Sequence, residues 1–307
     1  MPETLERKLD LAEIREALCK PAHAHLIGPD VPPCRMARPS REALIEIVEK
    51  LRAILFPGFV GDGADLTAET LGDYIEELLG EVRPALKVQV LRDLCFSCEK
   101  ADKRCMERAE EITENFLRRL PDVQKRLSGD VEATFVGDPA SKSHAEVILT
   151  YPGILALTYY RLAHEFFELG TPLLARMITE EAHSRTGIDI HPRATLGKNL
   201  MIDHGTGIVI GATAIIGDNV RLYQGVTLGA KSFPLDEDGN PIKGIDRHPI
   251  IGDDVTIYAG ATILGRVTIG RGSVIGGNVW LTRSVPPGSR ISQAMVRDER
   301  YGDGGGI

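Results

Sequence analysis

The sequence predicts an α + β protein with three parts: an N-terminal α-helical domain (residues 1–185), a C-terminal left-handed parallel β-helix (186–290) and a flexible tail (291–307). Three observations predict this order. Apolar residues recur at helical spacing in the first part, aliphatic residues recur every six positions in the second, and glycine dominates the end of the third.

The helical domain is predicted from apolar stripes that are separated by proline and glycine. The clearest stripe recurs at i, i+3, i+4, i+7 and i+11, which places its members on one helix face: Leu44, Ile47, Val48, Leu51 and Leu55. Further helices are predicted near residues 71–98, 106–120, 152–168 and 171–183, with breaks at 57–58, 121, 137–139 and 170–172.

The β-helix is predicted from a period of six that begins after Gly187. Aliphatic residues keep this spacing in three registers: Ile190, Leu196, Ile202; Ile210, Ile216, Leu222, Leu228; and Ile251, Ile257, Ile263, Ile269, Ile275, Leu281. The pattern is typical of a triangular solenoid, in which each hexapeptide forms a short strand and a turn and directs its aliphatic side chain inward. Three hexapeptides make one coil of about 18 residues.

The composition is that of a globular protein, with 43% hydrophobic and 26% charged residues. Because the formal net charge is −8, we expect no general nucleic-acid surface. The longest apolar runs are far shorter than the roughly 18 residues of a membrane span, and the first ten residues are charged rather than signal-like. We therefore expect no membrane association and a cytoplasmic location.

The five cysteines do not suggest a disulfide framework, because their number is odd and the expected compartment is reducing. Cys95, Cys98 and Cys105 are clustered, but they share one face of a predicted helix and lack a fourth ligand at metal-site spacing. We expect helix packing for this cluster, and no metal in the protein.

The two places where the period of six is interrupted are the best candidates for function, since a solenoid places its non-structural residues in insertions. The first interruption adds two residues between Ile202 and Ile210. The second separates Leu228 from Ile251 and includes a polar loop, residues 232–243. Both interruptions contain histidine.

Four segments, two of them inside these interruptions, resemble the serine acetyltransferases: Gly187-Ile188-Asp189-Ile190-His191-Pro192, Asp203-His204-Gly205-Thr206-Gly207, Gly225-Val226-Thr227-Leu228-Gly229 and Asp246-Arg247-His248-Pro249. The likeness extends from about residue 135 to 287. It implies transfer of an acetyl group from acetyl-CoA to the hydroxyl of L-serine, the first step of cysteine biosynthesis.

Such a transfer needs a base that takes a proton from the hydroxyl as it attacks the thioester, and an imidazole suits this task. His204 is our candidate base. Asp189 lies a little less than one coil earlier in the chain and is our candidate for the carboxylate that orients His204; the resemblance assigns the same pair. The resemblance also implies that His248 is a second essential histidine, and that the serine zwitterion is held by Asp138, Asp203 and Arg247.

For acetyl-CoA, the resemblance indicates small residues along a groove between neighbouring prisms: Gly229, Ala230, Ala259 and Gly277. Lys231, Lys243, Arg266 and Arg271 are candidates for the CoA phosphates, although a solvated charged face is the simpler interpretation of each. We expect structural roles for His164, His183 and His191. Compared with the family pattern, Ala212 replaces a frequent glutamate, and both the 232–243 loop and the helical N-terminus are longer.

The end of the chain resembles the family tail whose terminal isoleucine, here Ile307, enters the active site of O-acetylserine sulfhydrylase. Family solenoids form trimers with sites between subunits, and trimers pair through the helical domain. We therefore expect a homo-oligomer, either a trimer or a dimer of trimers.

Three alternatives fit parts of the sequence. A hexapeptide acyltransferase for a sugar or xenobiotic hydroxyl would not need Asp138 and Arg247. A zinc hydratase on the same solenoid would need three converging histidines, and only His204 and His248 are well placed. A non-catalytic scaffold would be favoured if Asp189 and His204 were too far apart to pair.

Overall fold

The computed structural model describes residues 11–18, 37–61, 63, 65–96, 103–232 and 234–293. The predictions for Cys98 and Ile307 lie outside these ranges. The described helices are α1 (Leu11–Leu18), α2 (Arg41–Leu55), α3 (Leu71–Phe96), α4 (Lys103–Gly137), α5 (His144–Thr150), α6 (Pro152–Glu168) and α7 (Pro172–Thr186). The predicted order, a helical half followed by a parallel β-helix, is confirmed.

The apolar stripe of α2 is confirmed, since all five of its predicted members are buried against α3 and α7. The break predicted at Pro121 is wrong, because α4 runs through this residue without ending. Proline removes one helical hydrogen bond, but Leu120 and Val123 on either side of it are buried and pack into the helical core. The burial of these two side chains keeps the turns of α4 before and after Pro121 in one continuous helix. Within the described residues, no helix is both long and apolar enough to cross a bilayer.

The β-helix consists of short strands: β1 (Asp189–Ile190), β2 (Thr195–Leu196), β3 (Met201–Asp203), β4 (Val209–Ile210), β5 (Ile215–Ile216), β6 (Arg221–Tyr223), β7 (Thr227–Gly229), β8 (Ile250–Ile251), β9 (Thr256–Ile257), β10 (Thr262–Leu264), β11 (Thr268–Ile269), β12 (Val274–Ile275), β13 (Trp280–Leu281) and β14 (Arg290–Ile291). They form three parallel sheets in the orders β1-β4-β7-β10-β13, β2-β5-β8-β11 and β3-β6-β9-β12-β14. These sheets are the sides of the predicted prism.

The strand register shows how many residues each of the two interruptions adds to its coil. Val209 pairs with Thr227, three hexapeptides later, which is the undisturbed coil. Asp189 pairs with Val209, so the first interruption lengthens its coil by two residues, as predicted. Thr227 pairs with Thr262, a separation of almost two coils, so the second interruption inserts nearly a whole coil of chain between β7 and β8. The thirteen predicted inward aliphatic residues are all at most 5% exposed.

One corner of the prism shows how the turns are made. Asn199, Asn219 and Asp254 have φ of 57°, 58° and 58°, a left-handed backbone that asparagine and aspartate tolerate better than most residues. Their side chains stack on successive coils, with Asn199 Nδ2 donating to Asn219 Oδ1 at 2.9 Å and Asn219 Nδ2 donating to Asp254 Oδ1 at 3.0 Å. The ladder therefore keeps the coils in register at this corner.

A buried ion pair joins the helical half to the first coil. Arg161 of α6 and Asp130 of α4 are 3% and 0% exposed, with Arg161 Nη2 donating to Asp130 Oδ1 at 2.7 Å. The pair also reaches the β-helix, since Arg161 donates to the Gly197 carbonyl at 3.0 Å and Asp130 accepts the Leu200 N–H at 2.9 Å. Beside it, α6 packs so closely that a Cβ at Gly153 would lie 2.3 Å from the Ile202 carbonyl oxygen.

We predict that Asp130→Asn lowers the free energy of unfolding by about 3–5 kcal/mol, because it leaves the Arg161 guanidinium buried without its counter-charge. Urea denaturation measures the loss. Glu111→Gln, which breaks the exposed Arg108–Glu111 pair of α4, is the control and costs less than about 1 kcal/mol. Similar losses in the two variants would contradict a special role for the junction.

Candidate active site

The predicted site residues lie at two different corners of the prism. The His204 corner joins the sheet of β3 to the sheet of β4 and comprises residues 204–208, 224–226, 258–261 and 276–279. The His248 corner joins the sheet of β4 to the sheet of β5 and comprises residues 191–194, 211–214, the long insertion with its flanks (230–249), and 265–267. The two histidines of the resemblance are therefore separated by one side of the prism.

His204 stands in a bulge that the two extra residues of the first interruption create. Its φ is 56°, and Gly205 and Gly207 follow with φ of 80° and 81°, so the backbone is left-handed at three of four successive positions. Glycine is also required at 205 by space, because a Cβ there would lie 2.4 Å from Ile188 Cδ1. The bulge directs the His204 side chain outward and leaves it 73% exposed.

Asp138 follows the last residue of α4 and faces this corner. Its Oδ2 accepts a hydrogen bond from the Tyr151 hydroxyl at 2.6 Å, and its Oδ1 accepts the Ala140 N–H at 2.8 Å. The Tyr151 bond is the largest cause that lowers the pKa of Asp138, and the nearby charge of His204 lowers it further. The same bond raises the pKa of Tyr151 to about 12. Asp138 is thus held as a carboxylate beside His204.

Asp203 completes a group of acidic and aromatic residues at the His204 corner. Its Oδ1 lies 3.9 Å from His204 Nδ1. In the sheet, Asp203 is paired in register with Tyr223, whose ring stacks on that of Tyr258 with 5.1 Å between the centroids. The sequence alone does not mark these tyrosines as site residues. Tyr151 lies in no motif, and Tyr223 and Tyr258 become neighbours only once the strand register across the insertion is known.

Asp189 and His204 lie on adjacent coils, and their segments run side by side, since the Gly207 N–H donates to the Gly187 carbonyl at 2.8 Å. Among the described residues, however, no hydrogen bond or ion pair joins their side chains. Asp189 instead has a ligand atom within 4.8 Å of Glu180 and His183 on α7. His183, which we expected to be structural, therefore lies next to a predicted catalytic residue.

The His248 corner is built around Thr213. The Thr213 N–H donates to His248 Nδ1 at 3.1 Å, and the Thr213 hydroxyl oxygen is 2.8 Å from the same nitrogen. That oxygen also accepts the backbone N–H groups of Arg247 and His248, at 2.9 and 3.1 Å. One threonine therefore holds both the ring and the backbone of the Asp246-Arg247-His248-Pro249 segment. His248 is only 7% exposed.

Positive charge surrounds His248. Arg266 Nη1 donates to the Thr213 and His248 carbonyls at 2.6 and 3.0 Å. Asp246 lies between two arginines, with its Oδ1 3.5 Å from Arg193 Nη2 and its Oδ2 3.7 Å from Arg266 Nη2. Burial is the main cause that lowers the pKa of His248, and the guanidinium groups of Arg247, Arg266 and Arg193 lower it further. The ring is therefore neutral near pH 7.

The four residues predicted to bind acetyl-CoA are divided between the two corners. Gly229 ends β7 and Ala230 begins the insertion at the His248 corner. Ala259 and Gly277 stack at the His204 corner, where a Cβ at Gly277 would lie 3.2 Å from the Ala259 carbonyl oxygen. Of the phosphate candidates, Arg266 binds backbone carbonyls, and Arg271 donates to Asp254 at 2.8 Å at the third corner.

Comparison with known proteins identifies the family. Residues 248–283 match the bacterial transferase hexapeptide (six repeats) model. A serine acetyltransferase of Synechococcus elongatus is 49% identical over 303 residues, which cover 97% of this chain and 93% of that protein. The chain belongs to the serine acetyltransferase family. Another member, from Mycobacterium tuberculosis, is 45% identical over 165 residues, which cover 54% of this chain and 68% of that protein.

Solved structures agree with this assignment to the serine acetyltransferases. The structure of Entamoeba histolytica serine acetyltransferase 1 in complex with L-cysteine is 34% identical, covers 84% of this chain and 88% of that one, and superimposes with a TM-score of 0.68. The Neisseria gonorrhoeae serine acetyltransferase in complex with serine is 27% identical, covers 82% and 95% of the two chains, and has a TM-score of 0.53. The resemblance inferred from the four segments is confirmed.

We predict that Tyr151→Phe raises the pKa of Asp138 toward the ordinary aspartate value of about 3.9, because the variant loses a hydrogen bond that favours the charged carboxylate. In the wild-type protein the depressed pKa contributes stability above the ordinary pKa, and this contribution is lost as the pH falls through the folded value. Carboxyl-carbon NMR titration measures the change. Tyr258→Phe, on the neighbouring coil, is the control and should leave Asp138 unaffected.

Proposed function

We propose that this protein transfers the acetyl group of acetyl-CoA to the hydroxyl of L-serine, giving O-acetyl-L-serine and CoA. Family membership supports the reaction class, and the solved relatives from Neisseria gonorrhoeae and soybean, each in complex with serine, support the acceptor. The observation that carries the proposal is the group of Asp138, Asp203 and His204, where two carboxylates flank an exposed imidazole.

In the proposed reaction, His204 is the general base. Its imidazole takes the proton from the serine hydroxyl as the oxygen attacks the thioester carbon, which gives a tetrahedral oxyanion. The carbon–sulfur bond then breaks, and the CoA thiolate takes the proton back from the imidazolium. Asp189 is proposed as the carboxylate that orients His204, because its strand starts beside the bulge on the preceding coil.

The two corners supply opposite charges for the serine zwitterion. At the His204 corner, Asp138 and Asp203 are proposed to accept hydrogen bonds from the ammonium group. At the His248 corner, Arg247 is proposed to bind the carboxylate, for which a guanidinium fork is well suited.

One chain cannot bring these corners together, because about six residues of extended chain, on the order of 15–20 Å, separate them along a side of the prism. A complete site therefore needs the His204 corner of one copy to face the His248 corner of the next. Such a head-to-tail contact closes into a ring, so we propose a trimer, or a dimer of trimers paired through residues 1–185.

The same arrangement suits acetyl-CoA. With Gly229 and Ala230 on one corner, and Ala259 and Gly277 on the other, a groove between two copies would have small residues on both walls. Backbone groups there are then accessible to the pantetheine amides. The further partner that we propose, O-acetylserine sulfhydrylase, would bind Ile307, which lies outside the described residues.

We predict that the purified protein releases CoA from acetyl-CoA only when L-serine is present, and that His204→Ala lowers kcat/KM by about 100- to 10,000-fold through loss of the base. A thiol reagent follows CoA, with D-serine, L-homoserine and a galactoside as parallel acceptors. His144→Ala, whose exposed ring lies 2.7 Å from Glu132 of α4 and belongs to neither corner, is the control. Release with the galactoside alone would favour a sugar acyltransferase, and no release with any acceptor would favour a scaffold.

We predict that inactive His204→Ala and His248→Ala proteins recover activity when they are unfolded together and refolded as mixed oligomers. Random assembly places the two intact corners side by side at about one interface in four, so about a quarter of wild-type activity returns. Each variant refolded alone is the control. Failure to recover in oligomers that are shown to be mixed would contradict a site shared between copies.

A further inference from the structure

The ring of His248 is bound on its Nδ1 edge by Thr213, which no sequence motif marks. Thr213 directs its backbone N–H at Nδ1 from 3.1 Å, and a donor in this position needs a lone pair on that nitrogen. Its hydroxyl oxygen, 2.8 Å from Nδ1, already accepts two backbone N–H groups, from Arg247 and His248. The hydroxyl proton therefore also points to Nδ1, which leaves no room for a proton on this nitrogen.

The opposite edge of the ring lies against Gly211. A Cβ at position 211 would be 2.0 Å from His248 Cδ2 and 2.2 Å from Nε2, so any other residue would displace the imidazole. Thr213 and Gly211 hold the ring from both edges, and both belong to the corner between β4 and β5. The turn between β4 and β5 thus binds the ring of His248, which comes more than 30 residues later in the chain, after the long insertion.

The charges that face the ring favour its neutral form. Arg193, Arg247 and Arg266 are the cations, Asp246 is the anion between two of them, and His191 adds a second imidazole that itself has a pKa lowered to about 4, mainly by burial. A neutral imidazole carries one proton, and with Nδ1 committed as an acceptor this proton resides on Nε2.

We propose that Thr213 is a positioning residue that fixes His248 as the Nε2–H tautomer, so that His248 offers the active site a hydrogen-bond donor rather than a base. The donor would bind an anionic oxygen, either the carboxylate of the acceptor or the oxyanion of the tetrahedral intermediate. The role in acyl transfer rests on the function proposed above, whereas the tautomer itself does not. The two histidines then have different tasks, His204 as base and His248 as donor.

The test compares Thr213→Val, which removes the hydroxyl at nearly constant shape, with Thr213→Ser, which keeps it. Solid-state NMR of oligomers that carry ring-¹⁵N-labelled histidine reports the tautomer, and His248→Asn identifies the His248 signals among the eight histidines. We expect wild type and Thr213→Ser to show protonated Nε2 and bare Nδ1. Thr213→Val also loses the acceptor of the Arg247 and His248 N–H groups, which holds the ring against the Thr213 backbone N–H. We therefore expect this variant to show a mixture of tautomers and a kcat/KM lower by about 10- to 100-fold, as for other residues that orient a functional histidine.

The kinetic split identifies the oxygen that His248 binds. A rise in KM for L-serine in Thr213→Val indicates the substrate carboxylate, and a fall in kcat indicates the oxyanion. Gly211→Ala provides a second route, because it displaces the ring while leaving Thr213 in place. Gly211→Ala should lose activity. Its thermal unfolding midpoint is compared with that of Ala212→Ser, a substitution at the neighbouring position.

Three results would overturn the proposal. The first is wild-type His248 with its proton on Nδ1. The second is Thr213→Val with an unchanged tautomer and unchanged kinetics. The third is a loss of both activity and stability in Thr213→Val while its folded fraction keeps the wild-type tautomer of His248. That result would mean that Thr213 has only a structural role. Absence of acetyl transfer in the wild-type protein would instead contradict the proposed function, and the NMR result would still stand on its own.

Discussion

The geometry of the candidate site depends on the buried pair of Asp130 and Arg161. Both side chains are withdrawn from water, and both also form hydrogen bonds to backbone groups of the first coil, at Gly197 and Leu200. Asp130 belongs to the same helix that ends next to Asp138, and Leu200 begins the turn that leads through β3 to His204. The contact therefore sets how far a carboxylate of the helical half lies from the proposed base. Because an unpaired charge in this place would be costly, the two halves cannot slide against each other by small steps.

The triangular section of the β-helix imposes a second constraint. Each corner presents its side chains in a different direction, so the His204 corner and the His248 corner face away from each other. The long insertion before β8 returns at the His248 corner, where Thr213 binds it, and not at the His204 corner. Enlarging one corner in this way cannot complete a site within one copy. In the proposed oligomer, the enlarged corner of one copy would face the bulged corner of the next.

The sequence predicts the solenoid well because each hexapeptide has only one inward position, and a polar residue at that position would visibly interrupt the period of six. It predicts the position of each interruption for the same reason. Contacts across coils are another matter. That Thr213 and His248, or Tyr223 and Tyr258, are neighbours can be predicted only when the length of the insertion is known, and the period alone allows more than one length.

The helix break predicted at Pro121 is absent because the core packing of Leu120 and Val123 overrides the local preference of proline to end a helix. The spacing predicts that the segments of Asp189 and His204 lie on adjacent coils, and they do, but the side chain of Asp189 lies near α7, which belongs to the helical half and has no part in the repeat.

The surroundings of the two histidines explain why they are not interchangeable. His204, the proposed base, is exposed, and the carboxylates of Asp138 and Asp203 lie beside it. His248 is buried among three guanidinium groups, where a positive charge on its ring is opposed by both desolvation and repulsion. A protein that needed two bases would not place one of them in such a field. The proposed mechanism needs one base and one fixed donor, and it gains from this field, because the same positive charges that disfavour protonation of His248 would attract an anionic oxygen to the proposed Nε2–H.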